Sequence, residues 1–369
     1  MATGYLAKIR QQAGEVYAGY MDRLASSDMT ASQKAMLMKI AGMSADTEKK
    51  ESDIEVTEAD GQLSLPTAKR MLKWLAEGVG RGLELNGGNE TPKDVQALLG
   101  LLLTHMGEIY LETALDAISD HTAAQENPRT EPDVSYLSSL HNAISILHLL
   151  STSITTILLP LASSNLTIRR DIEKTSQHTI STLESRISLI LNRTVDTALV
   201  WIGRLLSAQK KTDFRPREED FERAVEMLQT PVCLSVYTFL SKLSQLAASA
   251  LDGQNLTLFL SDLAIGLRFA LLEYFRKFTI SLTGGLLVSK DVTKYAELVR
   301  TWPLAESEFE KSGGLAVVSE VANLYVIGPE ALRERLKSAK AEEREELRRF
   351  VECREDRGSV GVQAVLSAV

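Results

Sequence analysis

The feature of this sequence that most limits its fold is a very long run of helical periodicity across residues 133–209. An α-helix lengthens by about 1.5 Å per residue, so an apolar stripe of this length has to be covered by other long helices. Pro160 and the polar residues 163–165 are the predicted kink or turn. The pattern predicts an all-α fold of elongated, stacked helical bundles. The stripe consists of Ile172, Ile180, Leu183, Ile187, Ile190, Leu191, Val195 and Leu199.

The composition supports a helical chain that can bury a core. Aromatic residues make up only 6% of the 369 residues and there are nine prolines, while 44% of the residues are hydrophobic. Sheet proteins are usually richer in aromatic and β-branched residues. The formal net charge of −8 argues against a general nucleic-acid-binding protein, because phosphate neutralisation requires a basic excess.

Breaks in the periodicity predict four segments. Residues 1–42 read as an N-terminal helical hairpin, and residues 43–64 as an acidic, polar linker with few large apolar side chains. Residues 65–209 then form a helical bundle, with helices that open near Pro66 and Pro92 and a break at 126–132. Residues 210–369 form a C-terminal helical bundle.

Helical periodicity continues through this last segment. A glycine pair at Gly284 and Gly285 is interpreted as the end of a helix, because glycine is the commonest residue just beyond a helix C-terminus. The predicted helices lie at 218–229, 231–251, 256–282, 292–300, 306–326 and from 329 onwards.

One stretch, Ile144–Leu166, is long and uncharged enough to be considered as a membrane span. His148, Pro160 and several Ser and Thr residues interrupt it, and its apolar residues fall largely at helical spacing. Membrane spans are more continuously apolar. A buried helix is therefore favoured over a span, and the N-terminus shows no secretory signal, so we expect a cytosolic protein.

No constellation of catalytic or metal-binding residues emerges. The five histidines form no HExxH motif, and His141 and His148 share a helix face without acidic or thiol ligands beside them. Cys233 and Cys353 are too far apart in sequence for a CxxC site. The glycine pair and Lys290 do not match a phosphate-binding loop. We expect no enzymatic activity, no cofactor, no metal and no small-molecule substrate.

The most basic short segment, KKTDFRPR at 210–217, is the candidate partner-binding site. It would contact an acidic partner or lipid headgroups; the alternative is a solvated loop between helices. The face from Arg333 to Arg335 is a second candidate. The predicted contact residues are Lys210, Lys211, Phe214, Arg215, Arg217, Arg333 and Arg335.

The downstream sequence resembles a known family. The features are LDG before a helix at Leu251, a GG pair after it, a Lys-Asp-Val turn followed by Tyr295, and NLYVIGPEALRE from Asn323. Together with KTDFRPREEDFERAVEMLQTPVC from Lys211, they are similar to the C-terminal region of the exocyst component five, or Sec-ten, family. The resemblance is specific over residues 211–357.

The resemblance implies a non-enzymatic, all-α rod of a vesicle-tethering complex. It implies other exocyst subunits as partners, with small GTPases or anionic lipids reached indirectly, and a cytoplasmic protein peripheral at the plasma membrane and secretory vesicles. Family members also carry an N-terminal coiled-coil portion, which we expect to be missing or truncated here. Fungal recyclin proteins share a similar C-terminal region, so an adaptor that links endocytic recycling to a ubiquitin ligase is the alternative.

Overall fold

The computed structural model describes residues 63–85, 92–217, 226–304 and 314–368. Within these ranges the chain is helical and contains no β-strand; the one β-type pairing is an isolated parallel bridge between Ile280 and Arg354. The predicted all-α class is confirmed. The predicted hairpin at 1–42 and almost all of the linker at 43–64 lie outside the described residues, and the domain bounds stay predictions.

Internal contacts divide the chain into two compact units. The first contains Ser135–Ile190 and the described residues up to Ala123. Two π-helical segments, Leu103–Glu112 and Ile154–Leu158, continue helices of this unit. Its α-helices are α1 (Leu65–Leu85), α2 (Pro92–Leu102), α3 (Thr113–Ala123), α4 (Leu137–Ser153), α5 (Leu159–Leu161) and the first part of α6 (Leu166–Ser207).

The second unit contains Ala124–Val134 and the described residues from Leu191 onwards. It includes the last part of α6 and a 3₁₀-helix at Glu355–Gly358. Its other helices are α7 (Pro231–Ala250), α8 (Gly253–Phe275), α9 (Leu282–Arg300), α10 (Ala316–Leu324), α11 (Pro329–Ser338), α12 (Ala341–Val351) and α13 (Val360–Ala368).

In the first unit, α4 provides much of the core because its apolar residues recur every three or four positions. Full burial of one such side chain contributes about 1.5–3 kcal/mol. The Asn142 amide donates a hydrogen bond to the Leu63 carbonyl, which ties α4 to the start of α1. The buried face of α4 consists of Leu137, Leu140, Ala143, Ile146, Leu147, Leu150 and Ser153.

The predicted turn between α4 and α6 is confirmed. Pro160 has no N–H to donate, and the helix ends at Leu161. Asn165 then caps α6, since its side-chain oxygen accepts hydrogen bonds from the backbone N–H groups of Thr167 and Ile168.

Three predictions about the region around α8 and α9 are wrong. The helix predicted at 292–300 starts earlier, at Leu282. The helix predicted at 256–282 starts earlier, at Gly253, and ends at Phe275, because Ile280 is taken into the bridge with Arg354. The Gly284–Gly285 pair does not end a helix: it lies in the first turn of α9, where the Ser281 hydroxyl accepts a hydrogen bond from the Gly284 N–H. The predicted helix at 218–229 lies mostly outside the described residues.

Among the residues that the structure describes, two helical stretches are long and apolar enough, by length and composition alone, to cross a membrane: Leu137–Leu161 and Gly253–Phe275. In the most apolar 18-residue window of each stretch, 39% and 44% respectively is buried inside the protein. Both also supply core residues such as Leu140 and Leu267.

Candidate partner-binding surface

The basic segment predicted from the sequence forms an ordered loop directly after α6. The Asp213 carboxylate organises it by accepting hydrogen bonds from the Gln209 amide (2.6 Å) and the Lys210 backbone N–H (3.2 Å). The Asp213 N–H in turn donates to the Lys210 carbonyl (3.1 Å). These short-range bonds hold the loop in a tight turn.

Phe214 anchors this loop in the core of the second unit. Its side chain is 0% exposed, and its ring centroid lies 6.1 Å from that of Tyr274, 6.2 Å from that of Phe275 and 5.2 Å from that of Phe278. Such edge-to-face pairs each add about 0.5–1.5 kcal/mol beyond area burial. The prediction that Phe214 contacts a partner is therefore corrected, because the ring is used to fix the loop.

The backbone of Phe214 fixes the loop a second time, against the start of α9. Its carbonyl accepts hydrogen bonds from the Ser281 N–H (3.0 Å) and the Ser281 hydroxyl (3.3 Å). A Cβ atom added to Gly284 would lie 1.8 Å from the same carbonyl oxygen, and one added to Gly285 would lie 2.8 Å from the Tyr325 Cβ. The glycine pair is thus required for close backbone approach, which explains its place inside a helix.

With the ring buried, the loop presents its charged residues to solvent. Lys210, Lys211, Arg215 and Arg217 are all exposed. The Arg215 guanidinium forms an ion pair with Glu355 (2.5 Å). Lys210, Lys211 and Arg217 lie on the same anchored loop, and none of them has an ion pair among the described residues.

Two further segments converge on this loop. Residues 276–281 lie beside it through the Phe278 and Ser281 contacts, and residues 353–357 through Glu355. The Ile280 N–H donates to the Cys353 carbonyl (2.9 Å), and the Glu355 N–H donates to the Ile280 carbonyl (2.8 Å). Three stretches far apart in sequence therefore form one local surface.

This convergence adds two cations that sequence reasoning missed, Lys277 and Arg357, both exposed. Both lie outside the basic segment at 210–217, and Lys277 has only Arg276 beside it, so the sequence did not indicate that they belong to this surface. Glu352 and Glu355 accompany them, which makes the patch basic but mixed in sign. We call it the basic surface, and it consists of Lys210, Lys211, Arg215, Arg217, Lys277 and Arg357.

A buried arginine supports one edge of the basic surface. The Arg354 guanidinium is 4% exposed and donates to the carbonyls of Leu324 (2.5 Å) and Ile327 (2.8 Å). It also forms a bidentate pair with Asp356, at 2.7 and 2.8 Å. The hydrogen bonds from Arg354 lower the pKa of the Asp356 carboxyl, so this pair stays ionised and holds residues 353–357 in place.

The two other predicted contact residues lie elsewhere, on α11. Arg333 is exposed. Arg335 is bound by Glu343 and Glu320 from neighbouring segments; the hydrogen bond with Glu343 raises the pKa of the arginine and lowers that of the glutamate. Arg335 thus stabilises its own unit, and only Arg333 of this pair is fully presented to solvent.

Another polar cluster of the second unit is buried. Asp291, 3% exposed, accepts hydrogen bonds from the Thr230 N–H (2.9 Å) and hydroxyl (2.7 Å), and the Thr230 hydroxyl caps α7 by accepting from the Cys233 N–H (3.1 Å). Burial raises the pKa of Asp291 to about 6 and raises the pKa of the Cys233 thiol. The cluster joins α7 to α9 through buried side chains.

The described residues contain no group of three or more His, Cys, Asp or Glu side chains that could hold a metal ion. Cys233 and Cys353 are free thiols. The feature of this unit best suited to recognition is therefore the basic surface.

Comparison with known proteins gives a consistent result. A family model described as "Exocyst complex component Sec10-like, alpha-helical bundle" matches residues 6–366. Exocyst complex component 5 of Oryza sativa subsp. japonica is 31% identical over 193 residues, which are 52% of this chain and 23% of the rice protein.

Two more relatives align over a longer part of the chain. Exocyst complex component SEC10 of Saccharomyces cerevisiae is 27% identical over 299 residues, 79% of this chain and 33% of the yeast protein. Exocyst complex component 5 of Caenorhabditis elegans is 28% identical over 287 residues, 76% of this chain and 41% of the worm protein. The chain spans well under half the length of these three relatives.

Proposed function

This chain belongs to the family of Sec10-like exocyst components, and on that premise we propose that it is a non-enzymatic part of an exocyst complex. In this role it helps to tether secretory vesicles to the plasma membrane before fusion. The observation that carries the proposal is the family match across residues 6–366, which agrees with the helical architecture of both units.

The basic surface is the proposed contact with another subunit. The segments that carry its cations are held in place by the buried Phe214 ring and the buried Arg354 side chain, so binding a partner costs little backbone ordering. In a chain of net charge −8, a local basic patch favours association with an acidic protein face. Arg333 on α11 is a second proposed contact. Small GTPases and anionic lipids would be reached through the assembled complex.

The proposed location follows from the same role. The protein would be cytoplasmic and would gather at the plasma membrane and on secretory vesicles through its partner subunits. The relatives described above are named as exocyst components and give no support to the recyclin-like alternative.

Affinity purification of the chain from its own cells, with identification of the co-purifying proteins, tests the assembly. We expect the other exocyst subunits to be recovered together. Recovery of ubiquitin-ligase components without exocyst subunits would contradict the proposal.

A charge-reversal variant tests the surface. Lys210→Glu, Lys211→Glu and Arg217→Glu together remove three exposed cations that have no described ion pair, and we expect capture of partner subunits to fall at least about fivefold, more so at low salt. The matched control reverses three exposed cations of the first unit: Lys93→Glu, Arg170→Glu and Lys174→Glu. Equal capture by the two variants would exclude the basic surface as a contact.

A further inference from the structure

Thr212, at the tip of the basic loop, has a hydroxyl group in an unusual environment for this chain. Most Ser and Thr residues described lie in helices, where their hydroxyls donate to a carbonyl of the preceding turn, as Thr182 does to His178 (2.9 Å) and Ser185 to Ser181 (2.7 Å). Thr212 lies outside any helix and is exposed. Its hydroxyl has no hydrogen-bond partner among the residues that the structure describes.

The side chains before Thr212 are also open to an approaching enzyme. Lys210 and Lys211 precede it directly and are exposed, and Asp213 after it is half-buried. The turn around it is held by two backbone bonds, from Asp213 N–H to the Lys210 carbonyl and from Arg215 N–H to the Thr212 carbonyl. A binding cleft lined with carboxylates would attract the two lysines and receive the hydroxyl group that follows them in the chain.

We propose that Thr212 is a phosphorylation site for a kinase that recognises basic residues before the acceptor. In that reaction the Thr212 Oγ1 forms a bond to the γ-phosphorus of a nucleoside triphosphate, and the bond from that phosphorus to the β-phosphate oxygen breaks. The hydroxyl proton passes to the base of the kinase, and a nucleoside diphosphate leaves.

The phosphate would change the charge of the loop. Residues 210–217 carry four cations, Lys210, Lys211, Arg215 and Arg217, and one carboxylate, that of Asp213, and a phosphothreonine adds a charge of about −1.5 to −2. Half or more of the basic excess is thereby removed. This consequence rests on the proposed function: phosphorylation weakens the contact between the basic surface and an acidic partner.

Thr279 is another exposed threonine that follows basic residues, but its structural surroundings differ from those of Thr212. Thr279 follows Arg276 and Lys277 in RKFT, is exposed and lies outside a helix. Its neighbours Phe278 and Ile280 are 8% and 1% exposed, and Ile280 is bonded on both sides to residues 353–355. Both residues that flank Thr279 are therefore in the core, whereas Thr212 lies between exposed Lys211 and half-buried Asp213, and the nearest buried residue after it is Phe214, two positions on.

The test is phosphorylation of the purified, folded chain with ATP and the catalytic domain of protein kinase C, followed by peptide mass spectrometry. We expect occupancy at Thr212 to exceed that at Thr279 at least about tenfold, and Thr212→Ala to abolish the main product. Thr212 occupancy equal to or below that of Thr279 would overturn the assignment.

Partner capture then tests the consequence. Thr212→Glu should weaken capture of exocyst subunits, while Thr182→Glu, on the exposed face of α6, should leave it unchanged. If the triple charge-reversal variant loses capture of exocyst subunits but Thr212→Glu captures them normally, the proposed effect of phosphorylation on binding is wrong and the contact surface stands. Normal capture by both variants refutes the proposed contact surface, and the mass-spectrometric result decides the modification by itself.

Discussion

Replacing Gly284 with alanine should destabilise the second unit although alanine is the better helix former. The added Cβ would lie 1.8 Å from the Phe214 carbonyl oxygen and 2.5 Å from its carbon. Because Cβ atoms do not approach other atoms within 3.0 Å, the loop or α9 must move by more than about 1 Å. The obstacle is backbone, so no side-chain rotation relieves it.

The magnitude follows from three contributions. Overpacking of this kind costs about 1–3 kcal/mol, and the two hydrogen bonds from Ser281 to the Phe214 carbonyl are worth about 0.5–1.5 kcal/mol each. Alanine returns at most about 1 kcal/mol of helix propensity. The expected net loss is about 3 kcal/mol.

Urea unfolding followed by circular dichroism gives the overall change, and hydrogen exchange at the Ser281 amide locates it. Gly203→Ala is the matched control, since Gly203 lies inside α6 with nothing within 4 Å of the added Cβ; this variant should gain about 0.5–1 kcal/mol. If Gly284→Ala is as stable as Gly203→Ala and the Ser281 amide stays protected, the close-approach argument is wrong.

Two other predictions concern the buried polar groups. Burial raises the pKa of the Asp291 carboxyl from 3.8 to about 6, so the folded state binds this proton more tightly than the unfolded state does. The resulting stabilisation is full below about pH 4, and on the order of 3 kcal/mol is lost as the pH rises through about 6. Asp291→Asn should remove this pH dependence from thermal melts recorded between pH 4 and 7. Arg354→Met leaves the carbonyls of Leu324 and Ile327 without this donor and should cost about 2–4 kcal/mol, whereas Arg357→Met at a nearby exposed position should change the urea midpoint little.

The helical class could be predicted from sequence because the period of apolar residues is a local property. The start of helix α7 at Pro231 and that of α11 at Pro329 were also predictable, since proline is favoured in the first turn. The glycine pair misled the interpretation for the same reason: its local preference is for a helix end, whereas a long-range contact with Phe214 and Tyr325 decides its position.

The candidate surface was only partly predictable. The run from Lys210 to Arg217 is visible as a charge cluster, but the burial of Phe214 depends on aromatic residues of the 274–278 region. Lys277 and Arg357 join the surface only through the bridge between residues 280 and 354. A sequence without its fold gives no sign of that pairing.

The long sequence separation between the loop and the segment that supports it has a consequence for biosynthesis. Arg215 pairs with Glu355 across 140 positions of the chain, and a ribosome adds about 5–20 residues per second. The loop must therefore wait roughly 7–30 s after its own translation for its supporting segment to be made. A nascent chain arrested before residue 353 would carry Lys210, Lys211, Arg215, Arg217 and Lys277 but would lack both Arg357 and the segment that supports the loop. Recruitment through this surface should therefore begin only after translation has passed that segment.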